Sequence, residues 1–183
     1  MNYYEPITIK NFLSETECNS ILTTNLNNSN LLPAKISNGL DTNVRDSSVF
    51  FIDKIDSIDD RLKLVLDTNI KVKGSTVSGL GKYQFTKYDV AGHYDWHTDS
   101  DDTIYKNRFC SIVIQLNNNY TGGNLEYKDD TSTICEFERG VGNLFIFYSG
   151  LEHRVTPIES GIRYSLVNWI SLNEISTYQK TLI

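Results

Sequence analysis

Three side chains from two remote segments have the types and spacing to share one metal ion. Tyr94-Asp95-Trp96-His97-Thr98-Asp99 sets an imidazole and a carboxylate two residues apart, and a second imidazole, His153, follows far downstream. Two imidazoles and one carboxylate on one face of an ion form a donor set suited to Fe(II), with open positions for dioxygen and a chelating co-substrate. Arg163 lies ten residues beyond His153. Its planar guanidinium grips a carboxylate through two parallel hydrogen bonds, so it suits the far end of a dicarboxylate.

Each residue alone carries little weight, because a lone His is usually core or surface and an Asp in an acidic run is usually solvated. The chain has three His, however, and two fall at the required spacings. The third, His93, sits four residues before His97, the interval of helical zinc motifs. Gly92 ahead of it and the strand-favouring Tyr94 and Trp96 beside it argue for a strand instead. No Glu follows His93 as a base, so it is read as a neighbour of the site or of substrate. Within a strand, residues two apart share a face, which would aim His97 and Asp99 together.

The elements that must hold these groups are short strands. Candidates are Lys82–Tyr88, His93–His97, Phe109–Asn117, Asn124–Tyr127, Thr133–Phe137, Asn143–Tyr148, His153–Val155 and Arg163–Ser171. They are punctuated by Ala91-Gly92, Gly122-Gly123, Asp129-Asp130, Gly140 to Gly142, Ser149-Gly150 and Ser160-Gly161. Strands this short and turns this frequent predict a mainly β fold with flanking α, a jelly roll of two sheets around a cavity. Ahead of it, Ile7–Ile9 reads as a strand. Ser14-Glu15-Thr16-Glu17 has the spacing of a capping box before Cys18, Ile21, Leu22 and Leu26. Asn27–Thr42 reads as loop, and Val49–Ile52 as a strand. Ser57 with Asp60 suggests a cap for a helix striped by Leu62, Val65, Leu66 and Ile70. The helices are expected to pack on the outside of one sheet. The chain is read as one domain over 1–183, with a support region 1–80, a jelly-roll core 81–172 and a C-terminal tail 173–183.

Composition bounds the function. A formal charge of −6 argues against a nucleic-acid surface, which needs clustered Lys and Arg. Cys18, Cys110 and Cys135 are scattered, with no Cys-x-x-Cys pair, which suits free thiols in a reducing, cytoplasmic setting. No apolar run approaches the ~18 residues of a membrane span, so no membrane partner is expected. The acidic run Asp99 to Asp102 hints at a basic partner, though such runs are usually solvated faces. Oligomeric state is not encoded in any visible pattern.

Three blocks extend these readings into a resemblance. YQFTKYDVAGHYDWHTD, RFCSIVIQLNNNYTGGNLEY and GNLFIFYSGLEHRVTPIESGIRYSLVNWI, together spanning Tyr83 to Trp169, resemble the Fe(II)- and 2-oxoglutarate-dependent dioxygenases of the prolyl 4-hydroxylase type, bacterial and phage-like members included. NFLSETECNSIL near the N-terminus is similar as well. The resemblance implies a double-stranded β-helix and iron held by His97, Asp99 and His153. It also implies 2-oxoglutarate anchored by Arg163 with Tyr88 beside it, dioxygen as oxidant and ascorbate as an accessory reductant. Tyr94 and Trp169 would line the metal and substrate region, unless they are core aromatics. Ser165, on the strand face of Arg163, could add a hydroxyl to the same carboxylate. Gln115 departs from the family, where several members carry an aromatic residue, and Arg108 reads as a surface or structural charge. The carboxylate of Asp99 favours hydroxylation, since related halogenases lack it. The expected reaction is hydroxylation of a protein or peptide side chain, prolyl first, with succinate and carbon dioxide released. Hydroxylation of a free amino acid or other small molecule is the alternative, with a non-catalytic jelly-roll binding module and a zinc hydrolase as contrasting classes.

Overall fold

The computed structural model describes residues 5–26, 31–36, 39–70, 75–77, 80–100 and 105–174. In chain order the elements are β1 (Ile7–Ile9), α1 (Glu15–Asn25), β2 (Leu32–Pro33), β3 (Arg45–Asp46), β4 (Ser48–Ile52), α2 (Asp56–Asn69) and β5 (Ser75–Val77). Next come β6 (Tyr83–Tyr88), β7 (His93–His97), β8 (Arg108–Gln115), β9 (Thr121–Gly122), β10 (Leu125–Lys128) and β11 (Ile134–Glu136). The last are β12 (Leu144–Tyr148), β13 (His153–Val155), β14 (Ile158–Ser160) and β15 (Arg163–Glu174).

Antiparallel pairing sorts these strands into two facing sheets. The larger runs β1-β12-β8-β15-β6-β4-β2, with β5 on the far end of β15, and the smaller runs β11-β10-β13-β7-β3. A β14-β9 ribbon closes one end. This is the double-stranded β-helix expected from the sequence.

Period-two alternation decides which side chains face where. Tyr83 and Phe85, Ile112 and Ile114, Leu144 and Ile146, and Leu166 and Ile170 point away from the barrel. There they pack against Leu13, Cys18, Ile58, Leu62 and Leu66 of the N-terminal helical layer. The helices therefore cover the outer face of the larger sheet, as expected. The alternate residues Tyr88, Val113, Phe145 and Phe147 turn inward and meet Leu125 and Val155 of the smaller sheet. Both faces of the larger sheet are thus buried, which explains the nearly unbroken apolar run of β8.

Local chemistry sets the helix starts differently. The Ser14 capping box is present: the Glu17 backbone N–H donates to Ser14 Oγ at 3.2 Å, and the Ser14 N–H donates to Glu17 Oε2 at 2.8 Å. The expected Ser57 cap is not. Helix α2 begins at Asp56 with Ile55 in the capping position and no side-chain bond. Ile55 packs on the core and its carbonyl accepts the N–H groups of Ile58 and Asp59, so burial rather than a hydroxyl sets this start. Asp59, in the first turn, instead accepts a buried 2.7 Å hydrogen bond from the Tyr83 hydroxyl. Leu26, the last residue of the predicted α1 stripe, is exposed.

Within the segment read as loop, 27–30 and 37–38 lie outside the described residues, and Leu32–Pro33 forms the edge strand β2. Strands β3, β5, β9 and β14 also escaped the sequence pattern. β15 extends to Glu174, into the expected tail, whose remainder lies outside the described residues. Among the described residues no helix is long and apolar enough to cross a membrane.

Candidate metal and co-substrate site

The two imidazoles are brought together by strand register. His97 on β7 and His153 on β13 are direct cross-strand partners. The next pair is Val155 with Tyr94, so β7 carries one extra residue there, a β-bulge. The Trp96 N–H, within the bulge, donates to the Asp95 carboxylate at 2.8 Å. The bulge turns Tyr94 to the same side as His97, and their rings stack at 3.4 Å between centroids. Trp96 lies elsewhere, between Lys128 and Arg154 at 4.5 and 4.6 Å.

Asp99 reaches the site by another route than a shared strand face, because β7 ends at His97. The N–H groups of Asp99 and Ser100 both donate to the Ser149 carbonyl, at 2.8 and 3.0 Å. The Ser111 hydroxyl then donates to Asp99 Oδ2 at 2.6 Å and lies 3.0 Å from Ser149 Oγ. Backbone bonds to Ser149 and a hydroxyl from the middle of β8 therefore aim this carboxylate.

The resulting constellation has one donor atom from each of His97, Asp99 and His153, all within 4.8 Å of one another. Asp99 Oδ1 is 3.7 Å from His97 Nε2, and Oδ2 is 3.6 Å from His153 Nε2. These are spacings a cation can bridge. Each ring is oriented through its other nitrogen: His97 Nδ1 lies 2.7 Å from the Asp95 carbonyl, and His153 Nδ1 2.8 Å from that of Leu151. Donation from Nδ1–H leaves the Nε2 lone pair free for a metal. Burial, reinforced by the neighbouring His153, pushes His97 down to about 3, so its imidazole is neutral. Burial also penalises the Asp99 charge. His153, His97 and the Ser111 hydroxyl outweigh that penalty and hold the carboxyl below its usual range. A neutral imidazole and an ionised carboxylate are the protonation states that ligate a metal.

Arg163 occupies the floor of the adjoining cavity, which is about 50 Å³ in volume and lined by Tyr88, His97, Asp99, His153, Ser165 and Trp169 among others. It is 1% exposed. Nη1 donates to Ser165 Oγ at 3.1 Å, while Nε and Nη2 have no partner. Its guanidinium carbon stands 5.4 Å from the Tyr88 ring centre. Gly123 lets the turn close over the Arg163 stem: a Cβ there would meet Ile158 Cδ1 at 2.2 Å. Two buried, unanswered N–H donors on a cation fit the carboxylate of a bound dicarboxylate, and the triad beside them fits a divalent metal.

Burial raises the Tyr94 phenol to about 12, so it stays neutral. The indole N–H of Trp169 is buried without a hydrogen-bond partner, near enough to Asp99 to favour its charge. Arg108, expected as a surface or structural charge, covers the Trp169 ring at 4.0 Å and that of Tyr105 at 3.9 Å. Its Nη1 donates to the Asp99 carbonyl at 3.2 Å, so it shapes the site mouth. His93 stays away, with its two nitrogens 3.1 Å from the carbonyls of Ala91 and Asn43; it clips a loop and touches neither metal ligand. Gln115 points its amide to the Asn117 carbonyl and the Tyr120 hydroxyl. A second cavity of about 730 Å³ shares Arg45, Gln84, Tyr94, Asp99 and Trp169 with the first and opens outward past Leu32 and Phe51.

Sequence reasoning missed Arg45 and the site roles of Ser111 and Arg108. Ser111 carried a signal, a hydroxyl on the inward face of an otherwise apolar strand. Arg45 carried none.

Comparison with known proteins agrees with this geometry. Residues 83–171 match the family model of the 2OG-Fe(II) oxygenase superfamily. A PKHD-type hydroxylase of Aliarcobacter butzleri (strain RM4018) is 25% identical over 181 residues, covering 92% of this chain and 77% of that one. A PKHD-type hydroxylase of Synechococcus sp. (strain CC9605) is 33% identical over 79 residues, 42% of this chain and 36% of the relative. Among solved structures, a Pseudomonas putida prolyl-4-hydroxylase superposes with a TM-score of 0.77 at 21% identity, covering 93% of this chain and 94% of that one. A prolyl hydroxylase of Trichoplax adhaerens, in complex with a hypoxia inducible factor peptide fragment, gives 0.76 at 18% identity, over 91% and 83%.

Proposed function

We propose that this chain, a 2OG-Fe(II) oxygenase of the prolyl 4-hydroxylase-like kind, hydroxylates a protein or peptide side chain, a prolyl residue first, while 2-oxoglutarate is converted to succinate and carbon dioxide. The observation that carries this reading is the pair of orphaned Arg163 N–H donors beneath three converging metal-ligating atoms. A binding module that had lost catalysis has no use for both. The relatives named PKHD-type hydroxylases and the neighbours solved as prolyl hydroxylases, one with a peptide, support the peptide substrate. The three free cysteines support a reducing compartment.

Ferrous iron, with 2-oxoglutarate and dioxygen bound, supplies the oxidant that replaces C–H by C–OH. The chain's own residues do the rest. His97 and His153 offer their Nε2 atoms, and Asp99 contributes the negative charge that balances a divalent ion. Arg163 orients the co-substrate by its distal carboxylate. The Ser165 hydroxyl, having accepted from Arg163, keeps its own hydrogen to donate to the same group. Tyr94 stacked on His97, and Trp169 beneath Arg108, wall the metal side of the cavity off from water and leave the outer cleft as the route for substrate.

The test is mass spectrometry of proline-containing peptides incubated with protein, Fe(II), 2-oxoglutarate and ascorbate. Succinate release with one added oxygen atom on peptide is expected, lost without dioxygen and in Asp99→Ala. Turnover by Asp99→Ala with normal iron content would overturn the ligand assignment, and activity with zinc in the absence of oxygen would favour a hydrolase.

A further inference from the structure

Two of the cations that line the outer cleft, Arg45 and Lys35, pair with no carboxylate among the described residues. Arg45 is 8% exposed. Its guanidinium lies 4.5 Å over the Tyr94 ring, its Nε donates to Ser47 Oγ at 3.0 Å, and a long 3.5 Å contact joins Nη1 to the Lys35 carbonyl. None of these partners is charged. Lys35 is exposed on the same wall and pairs with no acid among the described residues. Lys10, Lys54, Arg61, Lys87, Lys128 and Arg154 each sit on a carboxylate, whereas Arg139 is answered by carbonyl and amide oxygens. A chain of net charge −6 has acids enough to pair both, so their isolation is not a matter of supply. A buried charge without a counter-ion is costly unless a ligand provides one.

Position gives the charge a direction. Arg45, Tyr94 and His97 form a stack with successive spacings of 4.5 and 3.4 Å, so the Arg45 guanidinium lies on the cleft side of the metal triad. Leu32 and Phe51, large and exposed, line the same cleft. Its volume of about 730 Å³ is in the roughly 300–1,000 Å³ range of pockets for drug-sized ligands, enough for several peptide residues.

We infer that Arg45 and Lys35 form an anion-recognition site that selects peptides carrying an Asp or Glu side chain beside the residue to be hydroxylated. This rests on the hydroxylase reading above and adds a substrate class to it. Of the acidic run read as a hint of a basic partner, Asp99 is turned to the triad, and Asp101 and Asp102 lie outside the described residues. Because Lys35 is exposed, the selection weakens with salt.

The experiment measures binding under anaerobic conditions to protein loaded with Fe(II) and 2-oxoglutarate. Three pools of fluorescent peptides with a central proline are compared by anisotropy, flanked by Asp/Glu, by Asn/Gln or by Lys. The acidic pool should bind at least tenfold tighter than the amide pool, with the lysine pool weakest. Arg45→Gln should remove most of that preference. Lys35→Glu, at an exposed position that folding tolerates, should shift it toward lysine. Pools that bind alike or not at all, a ranking that survives in both variants, or displacement by free L-proline at equal concentration would each overturn the inference. Succinate release by the unmodified protein in air with the three peptide pools present is measured alongside. Its presence with no charge ranking sinks the anion site alone, whereas its absence sinks the oxygenase reading.

Discussion

Replacing Arg163 by Met separates the two states in which its charge matters. Without co-substrate the guanidinium is 1% exposed, bonds only Ser165 and has two nitrogens unanswered. An uncompensated buried charge costs several kcal/mol, so a chain of similar length without the charge should leave the bare protein as stable or more so. With co-substrate the balance reverses. Two charge-assisted hydrogen bonds at roughly 1.5–3 kcal/mol each give about 3–6 kcal/mol of binding. Their loss should raise the 2-oxoglutarate requirement by about 10²–10⁴-fold. Thermal unfolding of metal-loaded protein, with and without 2-oxoglutarate, reads both effects. Ligand at a hundred times its Kd adds about 2.7 kcal/mol to the unmodified protein, a rise of roughly 5–11 °C for a chain of this size. Arg163→Met should lose that rise at the same concentration and keep the stabilisation due to metal. A variant that melts several degrees lower on its own, yet still shifts normally with 2-oxoglutarate, would refute the assignment and make Arg163 a structural residue.

Two further substitutions probe the groups that place the site. Ser111→Ala removes the 2.6 Å hydrogen bond to Asp99 Oδ2. Loss of such a support should weaken Fe(II) binding by about 10–100-fold in an anaerobic titration, and unchanged affinity would show that the Ser149 backbone contacts suffice. Gly142 has φ +75, and a Cβ there would stand 1.8 Å from the Leu13 carbonyl oxygen. Left-handed strain of about 1–3 kcal/mol and overpacking of about 1–3 kcal/mol should together appear as a clear loss of stability in denaturant titration of Gly142→Ala. A loss under about 0.5 kcal/mol, the range of an ordinary surface change, would mean the N-terminal arm yields easily.

The sequence was readable where side chains had to alternate or cluster by type. The strands from Tyr83 to Ser171 announced themselves because their neighbours are sorted between a helix-covered face and a barrel interior, and the turns between them are rich in Gly and Asp. The Ser14 box was readable because both of its hydrogen bonds are local. The start of α2 was not, because Ile55 is held by the core rather than by a neighbour in sequence. Strands β3, β9 and β14 have only two or three residues and exist through their partners. Arg45 belongs to one of these, which is why a residue lining both cavities left no mark on the pattern.

The triad shows the boundary between the two kinds of information. Residue types proposed His97, Asp99 and His153, but spacing alone placed Asp99 on a strand face it does not occupy. Its position depends on Ser149 and Ser111, contributed by the end of β12 and the middle of β8. The imidazoles depend on register, His97 opposite His153, with the bulge immediately beyond. Side chains on a strand alternate, so a slip of one residue along β13 would turn His153 outward and bring Arg154 inward. The burial of His153 and Val155 on either side of the less buried Arg154 shows what opposes that slip. The apolar interior holds Val155 in place, and the same alternation then holds His153 on the metal. Packing at Val155 and ligation at His153 are therefore two consequences of one register, and the bulge in β7 is what lets Tyr94 face the pocket together with His97.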